Sequence, residues 1–263
     1  MRRLAALAVV LASVVGCEAL VGISDKTRVD GAAVTPGEDG GAVASGADGG
    51  GEDPDVPCAQ QPAGALFCDD FDSETNVWDN WSWHDPTNGG TIAFDTMSFR
   101  SPPDSAHFIA PQTSSGAQLG IDVGTVSGGV RLAFDLRVDV ADPTTLAPAG
   151  VAQVLELGNG LTLVYAIGPG NHASLQSFEG SSNIPTMTIP LTPPPTQIWT
   201  RIVLSYDPAL GATVIEDGTT LSTTASLAMG TPGHTEFVLG AVYLLSPGGA
   251  FDVELDNIVI RAQ

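Results

Sequence analysis

Positive charge is what this 263-residue chain has least of: Lys plus Arg total 9 against 30 Asp plus Glu, a formal net charge of −21. An acidic excess of that size repels phosphate backbones and anionic headgroups, which excludes nucleic-acid binding by charge. Cysteine is also scarce. Three residues, Cys17, Cys58 and Cys68, are too few for a disulfide scaffold and lack the paired spacing of a zinc site. No apolar run is long: Leu4–Val15 would rise only about 18 Å as a helix, short of the ~30 Å hydrocarbon core. What is abundant is Gly, 31 residues, and Pro, 19, which favours turns and short strands over long helices. An apolar fraction of 43% still suffices for a core. These counts describe a turn-rich, exported β protein.

The N-terminus reads as an address. Arg2 and Arg3 precede the short apolar run, the order of a secretory signal. The following Ser13-Val14-Val15-Gly16-Cys17 resembles a bacterial lipobox. The resemblance implies removal of residues 1–16 and attachment of diacylglycerol to the Cys17 sulfur, with acylation of its amine. An ordinary signal with a cysteine near its end is the alternative. Two or more acyl chains anchor stably, so the expected state is a lipoprotein held at a membrane without a spanning helix. The expected location is the outer membrane, facing the periplasm or the cell surface. Residues 17–57 form the next unit. Pro36–Pro57 carries seven Gly and six acidic residues with no Lys, Arg or aromatic, too little apolar surface to offset the entropy of ordering. It reads as a flexible acidic tether.

Residues 58–263 read as an all-β antiparallel sandwich. In Arg131–Asp139, Leu132, Phe134, Leu136 and Val138 alternate with Arg131, Asp135, Arg137 and Asp139, the period of a strand with one face on a core and one in water. Val151–Leu157 and Leu161–Ile167 flank Asn159-Gly160, and Ala212–Glu216 and Thr219–Ser222 flank Asp217-Gly218, two hairpin signals. Trp199–Asp207 alternates, and Phe237–Leu245, apolar on both faces, is expected to be central. In Phe251–Ile260 the inward phase shifts from Phe251, Val253 and Leu255 to Ile258 and Ile260, which predicts a bulge near Asp256-Asn257. No convincing amphipathic helix is present. At least nine short strands are expected, in a sandwich or jelly roll.

The opening Leu66–Asp72, the segment from Trp199 and the closing Asp252–Ile260 together resemble concanavalin A-like lectin/glucanase domains. The resemblance implies that the first and last strands are neighbours in one sheet. It also implies carbohydrate binding, less often cleavage, a step that rests on fold analogy.

Cys58 and Cys68 close a short loop in an exported protein, where a disulfide is expected and two free thiols are the alternative. Glu254-Leu255-Asp256 resembles the start of the Glu-x-Asp-x-x-Glu motif of laminarinase-like glucanases. Position 259 is Val259, however, so the acid/base is missing and no catalytic set is assigned. No Gly-x-Ser-x-Gly elbow occurs, and His84, His107, His172 and His234 are scattered. Acidic residues crowd both ends of the fold, and adjacent terminal strands would bring Asp70 and Asp72 towards Asp256. A structural calcium would suit such a set; separately solvated acids are the alternative. Trp78, Trp81 and Trp83 stand within six residues, with Asp85 nearby. Indoles that stack on sugar rings beside carboxylates that take hydroxyls make these four the expected carbohydrate site, against a plain role in covering the core. The expected function is a non-catalytic polysaccharide-binding module at the cell envelope. The alternatives are a jelly-roll glycoside hydrolase or polysaccharide lyase, or a structural or adhesion module.

Overall fold

A computed structural model describes residues 64–111, 115–141, 149–156, 160–168, 172–180, 184–223, 234–243 and 250–263. The expected signal, Cys17, the tether and Cys58 lie outside the described residues, as does the turn residue Asn159. Fifteen strands run in chain order: β1 Ala65–Asp69, β2 Trp83–Thr87, β3 Thr91–Asp95, β4 Ser105–Ala110, β5 Gly116–Thr125, β6 Val130–Ala141, β7 Ala149–Glu156, β8 Leu161–Gly168, β9 His172–Glu179, β10 Met187–Leu191, β11 Thr200–Asp207, β12 Gly211–Glu216, β13 Thr219–Thr223, β14 His234–Tyr243 and β15 Phe251–Ala262. Among the described residues there is no helix.

The strands make two sheets. The eight-stranded sheet has the order β13-β12-β11-β6-β15-β4-β3, with β1 also paired to β15; the seven-stranded sheet has the order β10-β9-β8-β7-β14-β5-β2. Every ladder between named strands is antiparallel. The first and last strands are neighbours, Cys68 facing Val259 and Asp69 facing Ile258. β14 is internal to its sheet, between β7 and β5. The Asp217-Gly218 turn has φ of 44° and 76°, as a two-residue hairpin with both central residues left-handed requires.

The alternation seen in β6 sorts its side chains as expected. Leu132, Phe134, Leu136 and Val138 join Ile202, Leu204 and Tyr206 of β11 and Val253, Leu255, Ile258 and Ile260 of β15 in the buried core. The other sheet contributes Leu119, Leu163, Tyr165, Leu175, Phe237 and Leu239. Phe134 and Tyr165 meet edge-on across the layers, ring centres 6.4 Å apart. On β15 the register with β6 slips between Asp256 and Val259, and Asn257 takes φ 49°. That bulge resets the phase, so that Leu255 and Ile258 both point inward although three positions apart.

Candidate functional site

The outer surfaces of the two sheets differ in chemistry. On the eight-stranded sheet, Ala133, Val203 and Val259 make a buried apolar row on the side away from the core, and the charged side chains around it are bonded to one another. Arg137 Nη1 donates to Glu254 Oε1 at 2.8 Å. Arg201 Nη1 donates to the Asn257 carbonyl at 2.8 Å, and Asn257 Nδ2 to Asp135 Oδ2 at 2.9 Å. The backbone N–H groups of Arg100 and Ser101 both donate to Asp256 Oδ2 at 2.8 Å, and the Ser101 hydroxyl donates to Oδ1. Burial pushes the Asp256 carboxyl up to about 7 against the pull of those donors. His107 pairs with Asp252 at 2.5 Å, a contact that raises the imidazole's pKa. This network ties the segment around residues 98–101 onto the sheet. Glu254 and Asp256 lie within it, on an ion-paired face.

The seven-stranded sheet has a different outer face. The ladder registers align one row across six strands: Gln176, Val164, Gln153, Val238, Gly120 and Trp83. At the usual strand spacing that row spans about 24 Å; Gln176, Val164, Val238 and Gly120 within it are buried, and Trp83 is half-buried. At one end a Cβ built on Gly120 would lie 2.0 Å from Trp83 Cε2, so the indole rests directly over the bare glycine backbone. The Trp83 Nε1–H donates to Glu236 Oε1, a buried carboxylate on β14, which fixes the ring's orientation. One row away Gln118 Nε2 donates to Asp85 Oδ2 at 3.3 Å. Asp122, opposite Glu236 in register, pairs with His234. At the other end Val164, Ala166 and Phe178 form a small buried apolar cluster separate from the core. Beside it, Gln176 is 5% exposed and donates to Ser174 Oγ at 3.0 Å, while its Oε1 is buried with no partner among the described residues. A buried acceptor left open in this way is costly unless a ligand or water supplies a donor.

Of the residues expected to bind sugar, the structure brings two together. Trp83 and Asp85 share the outer face, two positions apart on β2. Trp81 is placed in the core instead. It is 7% exposed, packs edge-on to Phe67 with centres 4.9 Å apart, and donates its Nε1–H to Asp69 Oδ2 at 2.7 Å. Trp78 packs on the core and stacks with His84 at 4.4 Å, away from the Trp83 face. The trio Asp70, Asp72 and Asp256 is not assembled as a cation site either. Asp256 is held by Arg100 and Ser101, whereas Asp72 feels Asp70, Asp104 and Glu74, and burial with those neighbours lifts it to about 6. Among the described residues no group of three His, Cys, Asp or Glu side chains is placed to hold a metal. Gln118, Gln176 and Glu236 were not singled out from sequence. The one available signal was Gly120, a glycine between Leu119 and Ile121 that marks close approach by another group.

No protein-family model matches the chain, and no curated protein matches it. Solved structures do. An endo-β-1,4-glucuronan lyase from the fungus Trichoderma reesei superposes with a TM-score of 0.59 at 14% identity, covering 76% of this chain and 96% of that one. The cellulose-induced protein Cip1 gives 0.56 at 17% identity, covering 75% and 97%. A carbohydrate esterase from Shiga toxin-encoding bacteriophage phi24B gives 0.51 at 11% identity, covering 76% and 98%. The chain is a jelly-roll β-sandwich. At these identities the likeness establishes the fold alone, and the site has to be argued from its own residues.

Proposed function

We propose that this chain is a non-catalytic carbohydrate-binding module whose outer seven-stranded face takes a polysaccharide. The observation that carries the reading is the Trp83 indole, laid over Gly120 and braced by Glu236 at one end of a row crossing six strands. A sugar ring can stack its C–H face on the part of the indole left accessible. Asp85 and Gln118 supply polar groups for its hydroxyls. The similarity in fold to a glucuronan lyase and a carbohydrate esterase lends general support to a carbohydrate ligand. The test is affinity electrophoresis through gels cast with individual soluble polysaccharides, comparing the parent with Trp83→Ala. Retardation of the parent by at least one polymer, lost in the variant, supports the reading; equal mobility of the two in every gel refutes it. Release of reducing sugar or of unsaturated product during the same incubations would convert the module into an enzyme.

The reading extends to placement. Lipidation at Cys17 would tether the sandwich to the outer membrane through residues 17–57, and a Cys58–Cys68 disulfide would pin the start of the domain beside β15. Metabolic labelling with palmitate tests the anchor: incorporation should occur in the parent and vanish in Cys17→Ser.

A further inference from the structure

Positive charge is not only scarce but one-sided. From residue 58 onward the chain has five Arg and no Lys. Arg131 and Arg137 lie on β6, Arg201 on β11 and Arg261 on β15, and Arg100 sits in the segment bonded to Asp256. All five therefore belong to the eight-stranded sheet or the segment tied to it. The seven-stranded sheet carries Asp85, Asp122, Glu156, Glu179 and Glu236 on its strands, and its only basic side chains are His84, His172 and His234. Because the sequence has no Lys or Arg between residues 138 and 200 or between 202 and 260, the connections from β7 to β10 and on either side of β14 add none.

We propose that the outer face of the seven-stranded sheet selects uncharged glycans and rejects chains that carry carboxylates; this inference rests on the carbohydrate-binding reading above. The face is rich in acceptors. Glu236 and Asp122 stand opposite each other on β14 and β5, and Asp85 is one row away. A neutral sugar offers hydroxyl donors to such a set. An ionised uronate or sialate brings a further acceptor that cannot donate, and it meets like charge with no guanidinium or ammonium on the described strands of this sheet to receive it. His234 does not supply the missing cation, because it is already paired with Asp122. The same lack of cations opposes β-elimination of a uronate, a reaction that needs the substrate carboxylate neutralised before the proton beside it can leave.

Matched polymers test this on the full chain. Polygalacturonate, alginate and glucuronan are each compared with their carboxyl-reduced forms, which keep backbone and linkage but lose the charge, alongside xylan and mannan. Binding is measured by calorimetry at low and high salt. The expected result is that a carboxyl-reduced polymer binds at least about tenfold more tightly than its parent at low salt, with the gap closing as salt screens the repulsion. Asp122→Lys should narrow the low-salt gap by strengthening binding of the charged parent. If the charged parent binds as well as its reduced form, or better, selection by charge is wrong while the carbohydrate reading stands. If no polymer of either kind binds, both fall.

Discussion

Replacing Gly120 with Ala tests the site without removing any group that would touch a ligand. Gly120 has no left-handed φ, so alanine is tolerated by the backbone. The new Cβ, however, would lie 2.0 Å from Trp83 Cε2 and 2.4 Å from Nε1. Ordinary carbon contacts start near 3.5 Å, so the indole must retreat by about 1.5 Å. A retreat of that size breaks the Nε1–H bond to Glu236 and strands a buried carboxylate, at a cost of about 1–3 kcal/mol. The gain from replacing a strand glycine, about 0.5–1 kcal/mol, offsets part of it. The net loss of roughly 1–2 kcal/mol should lower Tm by about 5 °C in a domain of this size. Polysaccharide affinity should fall at least about tenfold as the stacking platform tilts. In a Trp83→Ala background the clash is gone, so Gly120→Ala should there stabilise by the roughly 0.4–1 kcal/mol that a compatible glycine replacement gives, and raise Tm. Thermal melts and calorimetric titration of the four proteins complete the cycle. If Gly120→Ala leaves melting and affinity unchanged, or if its effect has the same sign with and without Trp83, the indole does not lie where we place it.

Three further outcomes follow from the same geometry. Asp69 and Asp256 are both lifted from 3.8 to about 7, chiefly by burial, so the folded state holds protons that the unfolded chain has already released between those values. Stability should therefore rise as pH falls from about 8 towards 5 and be lost again as pH rises through the folded pKa. Asp69→Asn should flatten the profile in Tm-against-pH measurements, and an unchanged slope would contradict the burial argument. Gln176→Leu removes a buried acceptor with no partner among the described residues together with the Nε2 bond to Ser174, so the two effects should nearly cancel in Tm; destabilisation well beyond the ~1 kcal/mol of that one bond would mean that Oε1 is satisfied within the fold. Trp81→Ala should destabilise by about 3–5 kcal/mol in denaturant unfolding, yet leave the affinity of the remaining folded protein unaltered.

What was legible in sequence was the set of strands with one wet and one dry face. β6 and β11 alternate because most of their outward positions are Arg, Asp or Ser, with Ala133 and Val203 the apolar exceptions, and most of their inward ones are large and apolar. The bulge in β15 was readable because its apolar phase slips by one residue at Asp256-Asn257. Much of the seven-stranded sheet was not legible. β5 reads GAQLGIDVGT, with glycines on its outward side where a neighbouring indole needs room, and β9 places Phe178 outward with Gln176. Outward positions that are apolar or glycine erase the contrast on which periodicity depends. The tryptophans failed for a different reason. Trp81 and Trp83 would share a face if both were in a strand, but β2 begins only at Trp83, and the Trp81 N–H closes a turn onto the Trp78 carbonyl at 3.1 Å. Strand parity does not hold across that boundary, and Trp81 turns inward to Asp69.

The most direct test of the central claim is hydrogen–deuterium exchange with and without the tightest-binding polysaccharide oligomer. The account predicts slower exchange in β2, β5 and β14, the strands that carry Trp83, Gly120 and Glu236, with β6 and β15 unchanged. Protection confined to β6 and β15 would put the ligand on the ion-paired face and contradict it.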